Sequence, residues 1–207
     1  VTNELYKEEV HKELPEVPIK NIIAEPMKRD TALAMLIGTL FAKSMDPEAV
    51  IINMASDHIV TNVPEFLRVM KLAAKTASEN DYLVTVGISP NRPATGFGYI
   101  RIGQDLQKLD RGLSLFKVDS FTEKPNEATA RGFISTGRYF WNANNYVWSS
   151  SVLERAFQTY MHDMYKLTKN LSTLTAKEFH SALKHIYQKA ESISIDYAIS
   201  EKASNLV

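Results

Sequence analysis

The chain has 207 residues, of which 44% are hydrophobic and 23% charged, enough for one substantial globular core. Its 24 basic and 24 acidic residues cancel, so no whole-molecule field draws it to nucleic acid or to an anionic membrane. Cysteine is absent, which excludes disulfides and thiolate metal sites and suits a reducing cytoplasm, and no apolar run approaches the ~20 residues that span a bilayer.

Asn3 is placed to cap a helix over residues 4–14, which Pro15 and Pro18 end. Residues 21–24 form an apolar run long enough only for a strand, stopping at Glu25-Pro26. Asp30 or Thr31 then caps a helix over 32–45 that is apolar on nearly every face, so deep burial is expected. Val50 to Ala55 reads as a strand buried on both sides, as in a parallel sheet. A polar turn, Ser56-Asp57-His58, leads to an amphipathic helix from Pro64 to about Ser78 and a strand from Tyr82 to Ile88. Strand, turn, helix, strand predicts right-handed crossovers and an α/β fold: a mostly parallel sheet with helices on both faces, hence three α/β/α layers.

Residues 89–103, rich in Pro and Gly, read as turns and short extended pieces. A strand is expected over 115–123, a helix over 126–136, one or two aromatic strands over 139–149 and a helix over 151–161. Weak periodicity over 162–175 predicts a mobile connection. A helix over 176–190 and a short segment near 196–202 follow. No internal repeat and no Gly/Ser linker is present, so residues 1–207 read as a single domain.

In an open parallel sheet the ligand crevice lies beyond the carboxyl ends of the strands, so polar residues just after strands are the first candidates. Glu25 is one: a carboxylate can accept from the N1–H and exocyclic amine of guanine at once, and adenine offers no such pair. A solvated loop carboxylate is the equally open alternative. Asp57 is a natural Mg²⁺ ligand, because Mg²⁺ takes one or two carboxylates and completes its shell with phosphate oxygens and water. Capping the turn before the next helix would also account for it. Glu123 can accept from sugar hydroxyls and Lys124 can serve as a point charge for phosphate, although exposed Glu-Lys pairs are common. The glycines of Thr95-Gly96-Phe97-Gly98-Tyr99 let backbone approach a ligand, and Asn142 after Trp141 can bond a hydroxyl; a hairpin turn and a core strand explain them as well.

Read in order, IIAEP (22–26), ASDH (55–58), RPATGFGYI (92–100), FTEKP (121–125), GRYFWN (137–142) and SIDYA (194–198) resemble the motifs of mannose-1-phosphate guanylyltransferases over nearly the whole chain. Thymidylyl- and adenylyltransferases share the strand-end Asp and the Glu-Lys-Pro. The Glu25-Pro26 and Ser194–Tyr197 segments point to the guanylyl branch. The resemblance implies a Rossmann-like nucleotide-diphospho-sugar transferase domain that transfers GMP from GTP to mannose 1-phosphate, giving GDP-mannose and pyrophosphate with Mg²⁺ as cofactor. It implies Glu25 and Thr31 at the guanine, Asp57 at the catalytic metal, Gly98, Glu123 and Asn142 at the mannose, and Lys124 at the sugar phosphate. Asp196 is a further substrate-binding candidate that helix capping would explain too.

The family's opening Gly-rich loop, with its Arg and Lys, has no match here, and neither does a later Trp-Ser-Asp segment carrying a second metal carboxylate. With Val1-Thr2-Asn3 unlike a natural start, the expectation is a domain incomplete at both ends that does not turn over by itself. Smaller departures are Asp30 for Asn, Ser56 for Ala, and Ala143-Asn144-Asn145 for Ser-Gly-Met. A relative with another base or sugar, and a non-catalytic sugar-nucleotide-binding homologue, remain open, as does the oligomeric state, a homo-oligomer included.

Overall fold

The structure, a computed structural model, describes residues 1–207. In chain order its strands and helices are β1 (Thr2–Asn3), α1 (Lys7–Glu13), β2 (Ala24–Glu25), α2 (Asp30–Met45), β3 (Val50–Asn53), α3 (Val63–Glu79) and β4 (Val84–Ile88). They continue with β5 (Gly98–Lys108), β6 (Ser114–Thr122), α4 (Glu127–Ser135), β7 (Tyr139–Ser149), α5 (Ser150–Tyr160), α6 (His162–Thr168) and α7 (Ala176–Lys189), before one π-helical turn over Asp196–Ser200. No helix is long and apolar enough to cross a membrane. The chain divides into two compact units, Val1–Ala49 with Ser150–Lys202, and Val50–Ser149 with Ala203–Val207.

The first unit is mainly helical. Helix α2 buries Leu33, Leu36, Ile37 and Leu40 completely, as its all-round apolar sequence predicts. Phe41 meets Phe179 edge-on at 5.1 Å. Phe179, Leu183, Ile186 and Tyr187 recur at i, i+4, i+7 and i+8, giving α7 one buried stripe. A reciprocal Thr175–Glu178 capping box starts that helix. At the other end of the chain, Asn3 does act as a cap, accepting from the Leu5 N–H at 3.0 Å, but a 3-10 turn over Glu4–Tyr6 precedes α1. The mobile connection expected over 162–175 is instead α6 followed by a 3-10 turn, with Met164, Thr168 and Leu171 buried. Interleaved Lys, Thr and Asn hide this helical spacing in the sequence, and the Thr168 hydroxyl donates back to the Met164 carbonyl at 2.9 Å.

The second unit is built on β7. It pairs with β3 from Val50↔Ser149 to Asn53↔Tyr146, and with β5 from Gly98↔Asn142 to Arg101↔Tyr139. Against β4 it pairs at Val84↔Val147 and Thr85↔Tyr146, then, after a register shift, at Gly87↔Asn142 and Ile88↔Trp141. The α/β class holds, but the mostly parallel sheet does not form: every ladder among β3 to β7 is antiparallel. Strands β3 and β4 do share a direction, as a helical crossover demands, yet β7 lies between them and opposes both. Parallel pairing is confined to β1 with β2 and to a Leu83↔Leu206 bridge. The turns expected over 89–103 also give way to a strand from Gly98 on, because β6 and β7 hold β5 from both edges.

Two apolar clusters fasten helices to this sheet. Met70, Ala73 and Ala77 of α3 pack with Val84, Leu115, Val147 and Val207. Ala130 of α4 packs with Tyr99 and Trp141, and nearby Phe133 stacks on Tyr139 at 3.9 Å. In the first unit, Leu36→Ala leaves a cavity at a wholly buried position of α2, and a urea melt is expected to show a loss of about 2–5 kcal/mol.

Candidate active site

In the helical unit, Glu25 ends β2 and Thr31 lies in the first turn of α2. Asp30, just before Thr31, has a left-handed backbone, φ +61°, and its carboxylate accepts from the Thr31 N–H at 2.7 Å. Thr31 Oγ1 in turn accepts from the Ile195 N–H at 2.9 Å, and the Ala32 N–H donates to the Ile193 carbonyl at 3.2 Å. These bonds fasten the residues before Asp196 to the head of α2. Asp196 itself is buried, 8% exposed, and opens the π-helical turn. Burial, and then the Asp196 charge, push the Glu201 carboxyl above the usual range.

Glu25 is half-buried, and Tyr187 of α7 donates its hydroxyl to Glu25 Oε1 at 2.9 Å. The Arg29 Nε–H donates to the Tyr187 backbone carbonyl at 2.7 Å, so one residue of α7 holds both ends of the loop. Burial raises the Glu25 carboxyl above its ordinary value, and the tyrosine hydrogen bond opposes that. A carboxylate short of water and holding one donor is chemically suited to a neighbour with two N–H groups side by side. The sequence offers no cue to Tyr187: it lies on the buried stripe of α7, 162 residues from its partner, and reads as core.

In the strand-rich unit, Gly98, Glu123, Lys124 and Asn142 come together. Gly98 faces Asn142 across the β5–β7 ladder. A Cβ at Gly98 would stand 2.6 Å from Glu123 Oε2 and 2.8 Å from Phe121 Cζ, so the missing side chain is what lets these two lie over the strand. The sequence predicts a ligand above this glycine; the protein's own carboxylate and phenyl ring fill that space. Lys124 follows with φ +45°, a left-handed backbone that costs a residue other than glycine free energy. Its N–H donates to the Phe97 carbonyl at 3.3 Å. Its ammonium, on a side chain 65% exposed, lies 3.5 Å from Glu123 Oε1. With the lysine end in solvent, the contact contributes about 0–1 kcal/mol and leaves Lys124 at liberty to turn to an anion.

Asn142 is buried in a polar network. Its amide donates to the Tyr146 hydroxyl at 3.0 Å, and its side-chain carbonyl accepts from the Asn144 N–H at 3.2 Å. Asn144 has φ +53°, and its carbonyl receives the Asn53 amide at 3.1 Å. The neighbouring Trp141 meets Phe97 edge-on at 5.2 Å, and the Arg92 guanidinium lies 5.3 Å and 5.8 Å from the Trp141 and Phe97 ring centroids. The Trp141 indole N–H is buried without an acceptor. Asp57 lies on the exposed stretch after β3, and no three His, Cys, Asp or Glu side chains gather to hold a metal ion. One carboxylate fits Mg²⁺ only where phosphate oxygens and water supply the remaining ligands.

Two outcomes test this geometry. An acid whose folded value is raised keeps its proton longer than the unfolded chain does, so stability falls as pH rises from the ordinary carboxylate range through that raised value. Thermal midpoints of Glu25→Gln relative to wild type should therefore climb from about pH 4 to about pH 7, and a difference independent of pH counts against a half-buried charge. Gly98→Ala should displace Phe121 and Glu123 and lower the melting midpoint of the strand-rich unit, whereas Gly96→Ala, in open space and without a left-handed backbone, should cost little.

The family model described as nucleotidyl transferase matches residues 1–197. A mannose-1-phosphate guanylyltransferase of Salmonella montevideo is 33% identical over 212 aligned positions that take in all of this chain and 44% of that protein. The xanthan biosynthesis protein XanB of Xanthomonas campestris is 32% identical with the same coverage, so the chain spans less than half the length of these relatives. A solved structure described as a mannose-1-phosphate geranyltransferase, from Thermus thermophilus, superposes with a TM-score of 0.75 at 24% identity, covering 97% of this chain and 62% of that one. A Helicobacter pylori mannose-6-phosphate isomerase superposes with 0.76 at 23% identity, covering 99% of this chain and 78% of that one, and both likenesses bear on the fold alone. With the family model covering nearly its whole length, the chain belongs to the nucleotidyl transferase family.

Proposed function

We propose that this chain contributes to the transfer of GMP from GTP to mannose 1-phosphate, giving GDP-mannose and pyrophosphate in the cytoplasm. The observation that carries the reading is the meeting of Gly98, Glu123, Asn142 and the left-handed Lys124 at one place in the strand-rich unit. A carboxylate for sugar hydroxyls and an exposed ammonium for the phosphate are what a sugar 1-phosphate requires. The relative named for this reaction favours mannose as the sugar.

An oxygen of the mannose 1-phosphate attacks the α-phosphorus of GTP in line, the new P–O bond forming as the bond to pyrophosphate breaks. Lys124 orients the attacking phosphate and offsets its charge, while Glu123 fixes the sugar ring. Glu25, steadied by Tyr187, accepts the guanine N1–H and amine, and Thr31, on the head of α2, is assigned to the same base. Asp57 would hold Mg²⁺ against the phosphates, where the ion supplies charge neutralisation.

Pyrophosphate release by the full-length protein, compared for GTP, ATP and dTTP, is the test. GTP should be preferred, and Glu25→Gln should reduce that preference about 10-fold or more while leaving the Michaelis constant for mannose 1-phosphate nearly unchanged. Preference for ATP or dTTP in the wild type would sink the assignment. Asp57→Asn should abolish the Mg²⁺-dependent turnover; unchanged Mg²⁺ dependence removes Asp57 from the metal.

A further inference from the structure

Six arginines, at positions 29, 68, 101, 111, 131 and 138, each have a carboxylate or carbonyl partner. Arg92 differs: it is exposed, and what it touches is two aromatic faces, Phe97 at 5.8 Å and Trp141 at 5.3 Å. A guanidinium lying over aromatic rings is attracted by its charge and spends none of its N–H groups on them. The loop that carries it is itself anchored, since the buried Tyr99 hydroxyl donates to the Ala94 carbonyl at 2.9 Å. The same loop receives the Lys124 N–H on the Phe97 carbonyl, so Arg92 and Lys124 are both tied to one residue, Phe97.

We propose that Arg92 is a second anion-binding residue of this site, a planar donor fork that takes the phosphate of a sugar 1-phosphate alongside Lys124. The proposal rests on the sugar 1-phosphate reading given above. Lysine offers a compact point charge and arginine a fixed pair of parallel donors, so together they fix both the position and the rotation of a phosphate. Rotation matters because only a phosphate oxygen aimed at the α-phosphorus can attack it. Arg92 acts by contact with the phosphate, and Phe97 and Trp141 are its positioning residues.

Calorimetric titration of the full-length protein with mannose 1-phosphate, unphosphorylated mannose and GTP tests this. Arg92→Gln should weaken mannose 1-phosphate binding about 10-fold or more, with GTP affinity and the melting midpoint unchanged, and Arg92→Lys should recover part of the loss. In the wild type, mannose 1-phosphate binding should weaken with added salt more steeply than in Arg92→Gln. Equal affinity in Arg92→Gln, or a loss of the same size for unphosphorylated mannose, overturns the assignment, the latter because it means that Arg92 shapes the loop. Wild-type protein that binds no sugar 1-phosphate overturns the proposed function and this inference with it; wild-type binding that survives Arg92→Gln overturns this inference alone.

Discussion

A strand has two hydrogen-bonding edges, and β7 serves three neighbours with them. Its first half lies between β5 and β4, and its second half between β4 and β3. The exchange requires a break in the ladder, and the break is built from asparagines. Asn144 adopts a left-handed backbone that most residues resist, Asn142 catches its N–H, and Asn53 reaches across to its carbonyl. The register of β4 shifts at the same level. With this arrangement in place, Asn142 stands opposite Gly98, and Gly98 admits Glu123 and Phe121. The candidate sugar end is thus a consequence of how one strand changes partners.

The helical unit solves its placement problem in another way. Glu25 lies on a two-residue strand with little pairing of its own, and the loop after it is held by side chains rather than by a ladder. Tyr187 supplies a hydroxyl to Glu25 and a carbonyl to Arg29, and Thr31 takes the backbone of Ile195. Each bond joins positions at least 158 residues apart in the chain, so the carboxylate proposed to select the base depends on the docking of α7 and of the segment after it. A partly buried network of this kind is most favourable when every partner is present.

Much of this was legible in the sequence and some of it could not have been. The all-apolar run of α2 and the stripe of α7 predict burial because solvent leaves such residues no other favourable place. The strand–helix–strand order implies the common direction of β3 and β4. It could not reveal that β7 would enter between them, since strand neighbours are chosen by long-range pairing that local pattern does not encode. Residues 162–175 look featureless because polar residues interrupt a helical stripe of Met164, Thr168 and Leu171. Among the candidate site residues, Glu123 and Lys124 are marked by their place just after a strand, whereas Asn142, expected at a strand's end, lies inside β7. Tyr187 and Arg92 carry no such mark, because one looks like core and the other like any exposed loop cation.

Gly98 stands out in the sequence for the room that it leaves, and the structure changes whose room that is. Glu123 and Phe121 already occupy it, at distances that no Cβ tolerates. The three positions are therefore coupled in sequence change. A larger residue at 98 is accommodated only as the outer ends of the Glu123 and Phe121 side chains swing aside, so exchanging the glycine moves the carboxylate even in a lineage that keeps it.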